Sequence, residues 1–359
     1  MKYRNLLLAT SALLTAAACS NDGTAPEEVG KSVELRLTSS LSDGQTRAFD
    51  TDADITRLQG EQIAAGEKVY AWVDSRNSTT TSAYVNAWEL TAGTAAGEAD
   101  GSFRGDTHYY PSSGDNVDIY CIHGNFTGIT AGTTAFPETA LTHTVALDQS
   151  TPANYQKSDL LYGSVQNQAR KTSQPILFKH KLAKVEVKLK VGTGTTVAQL
   201  TNEGTTVHIL NTKNRVQWLP VKQDAFASVT PATTIPAYGG TLGDLSFEDA
   251  TTAATTGISM YLQKDASVAD AIGNIAVFGE AIVVPQTLEA STATPLNFIK
   301  VHLASGGDLY AKIDADKEFE AGKKYLYTIT VNLSGITLTS SITDWDGGTG
   351  DNLEANLNN

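Results

Sequence analysis

Apolar and polar residues alternate over many short stretches of the chain, and this spacing is typical of β-strands. In residues 32–37 the alternation puts Val33, Leu35 and Leu37 on one face of a strand. Comparable runs, separated by clusters of Gly, Asn, Ser and Thr, lie at 69–73, 83–90, 117–122, 207–210, 216–221, 276–284, 298–303, 309–313 and 325–333. Short strands with frequent turn signals favour antiparallel sandwiches over βαβ units. One short helix is predicted at 55–65.

The clearest strand pattern opens the second half of the chain, at residues 176–191. From Leu182 onward the alternation is nearly strict, and it predicts that Lys184, Glu186, Lys188 and Lys190 face solvent. A change of composition at 170–174 marks a boundary between two halves, and 359 residues are enough for two domains.

Composition agrees with a β-rich fold and excludes one class of partner. Threonine is abundant, and β-branched residues pack well on a pleated sheet. The net charge of −13 argues against a nucleic-acid partner, because phosphate binding needs clustered Lys and Arg. Two cysteines are too few for a disulfide framework.

Several side chains belong to types that catalyse reactions or bind metals, but their arrangement in the sequence does not predict an active site. Arg104-Gly105-Asp106 is an integrin-type tripeptide, interpreted as a solvated turn. Asp344, Asp346 and Asp351 do not fit an EF-hand loop, and Cys121 with His123 is too small a set for zinc. His180 is interpreted as a packed or surface residue. With no nucleophile elbow or phosphate loop either, we expect no enzyme, no cofactor and no metal site.

The N-terminus carries an export signal. Lys2 and Arg4 precede an apolar run at 6–18 that ends in Ala16-Ala17-Ala18-Cys19. This arrangement resembles a lipoprotein signal peptide covering residues 1–18, with a lipid anchor on the Cys19 thiol. An ordinary secretory signal that happens to contain a cysteine is the alternative. The polar residues 20–28 then form a flexible tether.

Motifs spread over nearly the whole chain resemble the fimbrillin family, the lipoprotein-derived pilins of Gram-negative anaerobes. The resemblance rests on their order: the leader ending at Cys19, Thr46-Arg47-Ala48, Tyr109-Tyr110-Pro111 before Val117-Asp118-Ile119-Tyr120, Phe178-Lys179-His180-Lys181-Leu182, Pro285-Gln286-Thr287-Leu288, and Ile342-Thr343-Asp344-Trp345.

The resemblance implies an all-β fold of two tandem transthyretin-like antiparallel β-sandwich domains, at 48–172 and 173–359. It also implies that an Arg-specific, trypsin-like protease cuts between Arg47 and Ala48. Residues 19–47 would then be a lipid tether and a removable first strand with Val33, Leu35 and Leu37 on its buried face. The alternative is that Arg47 is merely a solvated loop residue.

Loss of that strand would open an apolar groove between two unpaired strand edges. A strand donated by another fimbrial subunit, of the same or a different kind, would fill it by donor-strand exchange. Repeated head to tail, that contact builds a fibre. The candidate donor strand carries Ile336, Leu338 and Ile342, with Trp345. Because residues 346–359 are a poor insert, either the donor lies upstream of them or the subunit ends a fibre.

The sequence thus predicts a precursor of a fimbrial subunit at the outer membrane and cell surface, supporting adhesion to a host surface ligand. The alternative function is a non-polymerising surface lipoprotein that binds host glycans or proteins. Trp72, Trp88, Trp218 and Trp345 would give it a sugar-stacking platform, unless they are buried inside the sandwiches.

Overall fold

The computed structural model describes residues 32–41, 58, 62–93, 101–222, 257–264, 275–304 and 307–344, and the backbone of 245–246. These residues form strands and two short helices. In the first half the elements are β1 (Leu37–Leu41), β2 (Lys68–Arg76), β3 (Thr81–Ala92), β4 (Phe103–Gly105), β5 (Asn116–His123), β6 (Leu141–Thr144), α1 (Pro152–Lys157), β7 (Leu161–Gln168) and β8 (Gln174–His180). In the second half they are β9 (Ala183–Val191), α2 (Val197–Leu200), β10 (Thr206–Ile209), β11 (Arg215–Trp218), β12 (Leu245–Ser246), β13 (Ile258–Ser259), β14 (Tyr261–Gln263), β15 (Ile275–Val283), β16 (Gln286–Leu288), β17 (Leu296–Leu303), β18 (Gly307–Ile313), β19 (Lys317–Phe319), β20 (Lys323–Asn332) and β21 (Gly335–Asp344).

The first half is built on a seven-stranded sheet in the order β1-β8-β7-β5-β2-β3-β4. Its neighbouring strands are antiparallel except for β1 and β8, which are parallel. Isolated bridges join Thr38 to Ser102 and Glu34 to Tyr109, so the two ends of the sheet meet. An apolar core that includes Val73, Ile119 and Phe178 fills the inside of this curled sheet.

The second half packs a five-stranded sheet, β14-β15-β9-β20-β21, together with a four-stranded sheet, β13-β10-β17-β18. Side chains of both sheets belong to one apolar core, and the rings of Phe298 on β17 and Tyr327 on β20 meet at 5.0 Å. Two smaller sheets, β12-β11-β6 and β16-β19, complete the set. Because β6 pairs with β11, strands from the two halves share a sheet. The all-β class is confirmed, while two transthyretin-like domains stay a prediction.

The strand pattern at 176–191 is two strands in two sheets, not one strand that opens the second half. β8 pairs with β1 and β7, whereas β9 pairs with β15 and β20. The positions of the buried apolar residues explain the break. They are even-numbered in β8, as for Ile176 and Phe178, and this continues to Leu182. From Val185 onward, in β9, they are odd-numbered. The change of sheet therefore falls between β8 and β9, and the domain boundary expected at 172/173 stays a prediction.

The expectation that Lys184 and Glu186 face solvent is wrong. Both are buried, and the Lys184 ammonium lies 2.6 Å from a carboxylate oxygen of Glu280 on β15 and 3.1 Å from one of Glu186. Burial alone disfavours the charged ammonium, but these two carboxylates outweigh it and hold the pKa of Lys184 well above its ordinary value. Alternation alone did not reveal this cluster, because the counter-charge comes from a distant strand.

The helices were not predicted from apolar periodicity, because both are too short to have any. Their capping residues were the available signal. Thr151 caps α1, with proline in its first turn, and Thr196 forms a capping box with Gln199 in α2. Most of the helix predicted at 55–65 lies outside the described residues, and 62–65 are not helical. Of the helices that the structure describes, neither has the length and apolar character needed to cross a membrane.

Candidate functional site

The first strand and its neighbours form the candidate site. Residues 33–41 are extended and are hydrogen-bonded on both sides. On one side, β1 runs parallel to β8, and the Gln174 amide donates to the Arg36 carbonyl at 2.7 Å. On the other side, the Leu35 amide donates to His108 O at 2.8 Å and the Ser39 amide to Gly101 O at 2.7 Å. The segment is therefore an inner strand of the curled sheet, although it is the first of the described strands.

The inner face of this segment is part of the first core. Leu35 and Leu37 are 1% and 2% exposed, and Leu41 is 8% exposed. Val33 is partly buried and packs against the same core. These are the residues that alternation placed on one face. Burial of a leucine side chain contributes roughly 1.5–3 kcal/mol, so the segment is held mainly by its apolar face.

Ser39 interrupts the apolar face with a buried hydroxyl. Its Oγ donates to Gly101 O at 3.3 Å and accepts from the Ile63 amide at 3.4 Å. Gly101 has φ +75°, and a Cβ there would lie 2.5 Å from Ser39 O. The glycine at 101 thus lets the backbone of the first strand approach closely. The hydroxyl of Ser39 provides hydrogen bonds for the neighbouring Gly101 carbonyl and Ile63 amide.

A cavity of about 550 Å³ lies between the two bridges that join the first strand to β4 and the following residues. Leu35 and Leu37 line it on one side, and Trp88, Phe103 and Arg104 on the other. The Trp88 indole nitrogen has no hydrogen-bond partner among the described residues. The contact of β1 with β4 is therefore less complete than its contact with β8.

Arg104-Gly105-Asp106 lies beside this cavity, and the interpretation as a turn is wrong for its first two residues. Arg104 and Gly105 belong to β4, which pairs with β3. A Cβ at Gly105 would lie 2.6 Å from Glu89 O and 2.9 Å from the Trp88 indole nitrogen. Packing against β3 is a sufficient reason for the glycine.

Three residues of the candidate donor strand lie on β21, which belongs to a different sheet from β1. Leu338 is buried, while Ile336 and Ile342 are partly buried and pack against the second core. β21 is the last strand of its sheet and pairs with β20. Trp345 lies outside the described residues, as do Cys19, Arg47 and Ala48, so their roles stay predictions.

The described tryptophans and the remaining candidates are buried in the fold. Trp72 and Trp218 are each 1% exposed and Trp88 is 5% exposed, so these three form no surface platform for sugars. Cys121 is buried, and burial raises the pKa of its thiol well above the usual range. His180 is also buried, with its Nδ1 2.9 Å from Asp159. Within the described ranges, no three His, Cys, Asp or Glu side chains are grouped to hold a metal ion.

Comparisons with known proteins agree with the picture of a fimbrial β-protein. Residues 46–345 match the model of the family described as fimbrillin-like. A protein of Bacteroides uniformis that carries the name fimbrium subunit Fim1C is 27% identical over 358 residues, which cover 98% of this chain and 97% of that protein.

Two solved structures, both described as cell adhesion proteins, share the fold. One, from Bacteroides uniformis, has a TM-score of 0.52 at 22% identity and covers 89% of this chain and 100% of its own. The other, from Bacteroides ovatus, has a TM-score of 0.53 at 14% identity and covers 88% of this chain and 98% of its own. The resemblance carried by the sequence motifs is confirmed by the family match. The chain therefore belongs to the fimbrillin-like family.

Proposed function

We propose that this protein is the precursor of a structural subunit of a cell-surface fimbria that supports adhesion. It is exported as a lipoprotein anchored through Cys19 at the outer membrane. An Arg-specific, trypsin-like protease cuts between Arg47 and Ala48, and a strand from a neighbouring subunit then replaces β1. No catalytic step is assigned to the chain, since fimbrillins are structural proteins.

The observation that carries the proposal is the setting of residues 33–41. They are bonded to neighbours on both sides and buried on one face, and Arg47 follows Leu41 by six positions in the sequence. A cut at Arg47 would leave these residues attached to the body by non-covalent contacts alone. It would also separate the body from the lipid on Cys19.

Departure of the first strand would create two defects at once. β8 and residues 101–110 would lose hydrogen-bond partners, and the core would lose the cover of Leu35, Leu37 and Leu41. Exposed apolar surface costs about 25 cal/mol per Å² in water, and an unpaired strand edge invites another strand. One inserted strand repairs both defects, which favours polymerisation of the cut protein and stability of the uncut one.

Limited proteolysis tests the proposal. The purified precursor is treated with an Arg-specific protease, and the products are followed by mass spectrometry and by electrophoresis without boiling. We expect loss of the residues up to Arg47, followed by a ladder of heat-labile oligomers.

An Arg47→Ala variant should stay uncut at this position and monomeric. Arg57→Ala is the matched control, because it removes a neighbouring arginine of the same stretch and should leave cleavage and assembly unchanged. Oligomers of the Arg47→Ala protein, or complete cleavage with no assembly at any concentration, would contradict the proposal.

The alternative function as a glycan- or protein-binding lipoprotein gains no support from the described tryptophans, all three of which are buried. This alternative would be favoured if the protein bound host glycans and if mutation of an exposed aromatic residue abolished that binding while assembly was unaffected.

A further inference from the structure

β18 is a sheet edge at which main-chain hydrogen-bonding groups are open. Among the described residues it pairs with β17 and with no other strand, so it ends the sheet β13-β10-β17-β18. Such an edge is a template for another strand unless proline, a bulge or an unmatched charge blocks it. β18 contains no proline, and its inward side chains are the apolar Leu309, Ala311 and Ile313. Its outward charges therefore decide which strand it accepts.

The alternation of main-chain hydrogen bonds shows which residues of β18 face the open edge. Along an antiparallel strand, the N–H and C=O groups of successive residues point alternately toward the two neighbouring strands. The Val207 carbonyl of β10 accepts from the Met260 amide at 3.0 Å, on the side away from β17. Val301, which lies opposite Val207, then points toward Leu309 of β18. Leu309 in turn faces β17, so its neighbour Tyr310 faces the open edge.

Asp308 and Lys312 share the orientation of Tyr310, and the three side chains lie on the outer face of the sheet. All three are exposed, Tyr310 by 41%. The Asp308 carboxylate lies 2.7 Å from Nδ1 of His302 and accepts from the Tyr310 hydroxyl at 3.3 Å, so it is held in place. The open edge thus presents an acid, an aromatic ring and a base, with one residue between each and the next.

This order of side chains is complementary to itself when two copies of β18 run antiparallel. If Tyr310 lies opposite Tyr310 of a second copy, then Asp308 of each copy lies opposite Lys312 of the other. Every one of these pairs joins residues whose main-chain groups face the edge, so the ladder hydrogen bonds form as well. Opposite charges that face each other across two strands stabilise the pair, and like charges destabilise it.

The charges also select one register. A shift of two residues keeps the main-chain hydrogen bonds, but it places Asp308 opposite Tyr310 in one direction and opposite Asp314 in the other. Neither arrangement matches an acid with a base. An uncharged strand would leave both Asp308 and Lys312 without a partner, which favours a second copy of β18 as the occupant of the edge.

We propose that the β18 edges of two copies of this chain pair antiparallel about a two-fold axis at Tyr310, joining their four-stranded sheets into one. β1, Arg47 and the candidate donor strand take no part, so this pairing goes beyond the proposed function and does not depend on it. One strand pair is a small and weak contact, but its repetition along two neighbouring fibres holds them side by side. A single pair does not survive the electrophoresis that follows assembly, so the uncut protein still runs there as a monomer.

Disulfide trapping on the uncut precursor tests the register. Tyr310→Cys places two thiols opposite each other across the axis, at a Cα separation that suits a disulfide. Cys19→Ser is included, so that the remaining native cysteine is Cys121, which is buried. We expect a covalent dimer on mild oxidation. Lys312→Cys is the matched control, because it is an exposed position of the same edge whose two copies lie about 13 Å apart in this register.

Charge reversal tests the partner by sedimentation at low salt, where exposed charges are least screened. Lys312→Asp and Asp308→Lys each put like charges opposite each other at both ends of the pair, and each should weaken self-association about tenfold or more. An equimolar mixture of the two variants restores both opposite-charge pairs and should associate like the wild type. Lys171→Asp, the same charge change at an exposed lysine of the first half, should leave association unchanged.

The outcomes separate this inference from the proposed function. Equal cross-linking of Tyr310→Cys and Lys312→Cys, or none in either, would overturn the register. A mixture of Lys312→Asp and Asp308→Lys that associates no better than each variant alone would overturn the charge pairing. Both results would leave the proposed function standing, because that function depends on cleavage at Arg47 and is tested with cleaved protein.

Discussion

Two contacts hold the first half of the molecule, and they are built from different interactions. Around β1 they are main-chain hydrogen bonds and buried leucines. At the junction with the second half, buried polar groups add to the shared apolar core. Lys184 of β9 lies between Glu280 of β15 and Glu186, and Glu280 also accepts a hydrogen bond from the Leu58 amide of the first half at 3.0 Å. The Gln149 amide bonds both the N–H and the carbonyl of Ile282, at 2.9 and 2.8 Å.

The difference matters for what each contact can do. Main-chain bonds and leucines in an alternating strand are supplied equally well by another strand of the same pattern. A buried ion cluster and a reciprocal amide pair depend on particular side chains at particular places, and breaking them leaves uncompensated polar groups. The β1 contact is therefore replaceable, whereas the junction is specific to this chain.

The largest expected effect is at the junction. Lys184→Met leaves Glu280 and Glu186 buried without their cation, and loss of one partner of a buried ion pair typically costs 3–5 kcal/mol. We expect the free energy of unfolding, measured with urea, to fall by about 4 kcal/mol in the precursor and in the cleaved protein alike.

Lys190→Met is the control for this prediction, since Lys190 lies on the same strand but is only partly buried. Its effect should stay within about 0.5 kcal/mol, as for most surface substitutions. Equal losses for the two variants would contradict the view that the ion cluster holds the junction.

The next effect is at the β1 contact. Leu37→Ala removes a side chain that is 2% exposed, and such truncations cost about 2–5 kcal/mol. We expect the precursor to lose about 3 kcal/mol of stability by the same urea measurement. Polymers of the cleaved variant should be as heat-stable as the wild type, because the first strand has left them.

Leu177→Ala is the matched control, since this leucine of β8 is 49% exposed. It should change the stability of the precursor by less than about 0.5 kcal/mol. A Leu37→Ala polymer that melts earlier than the wild-type polymer would mean that β1 stays in place after cleavage, and the contrast between the two contacts would be lost.

The contrast also explains which parts of the structure could be predicted from sequence. Strands such as β8 and β20 follow from local alternation, because one buried face imposes a period of two residues. The first strand was found in the same way. Its position between β8 and residues 101–110 was not, since pairing partners are distant in the chain and alternation does not identify them.

The residues that the sequence misassigned owe their environment to distant segments. Lys184 and Glu186 look like a solvated face until β15 brings Glu280 against them. Arg104 and Gly105 look like a turn until β3 pairs with them.

Acid should weaken the junction. His143 on β6 is buried, accepts from the Asn125 amide at Nδ1 and contacts Ser158 O through Nε2. Burial lowers its pKa to about 4, although the Ser158 carbonyl and Asp159 favour the charged form. His123 opposes it.

The unfolded chain takes up the His143 proton near its ordinary pKa, so stability is lost as the pH falls from about 6.5 to about 4. Two and a half pKa units correspond to a loss of up to about 3 kcal/mol. We expect the loss of stability between about pH 6.5 and 4, measured by urea unfolding at several pH values, to be smaller in His143→Gln. The same loss should remain in the control His302→Gln, which replaces an exposed histidine. An unchanged loss in His143→Gln would assign the acid sensitivity to other groups.

The smallest expected effect tests the polar position of the first strand. Ser39→Ala leaves the Ile63 amide without its acceptor, and losing one such hydrogen bond costs about 1 kcal/mol. Stability of the precursor, measured by urea unfolding, should fall by that amount. If Ser39→Ala were as stable as the wild type, the buried hydroxyl would have no part in holding the first strand, and the leucines alone would account for the fit.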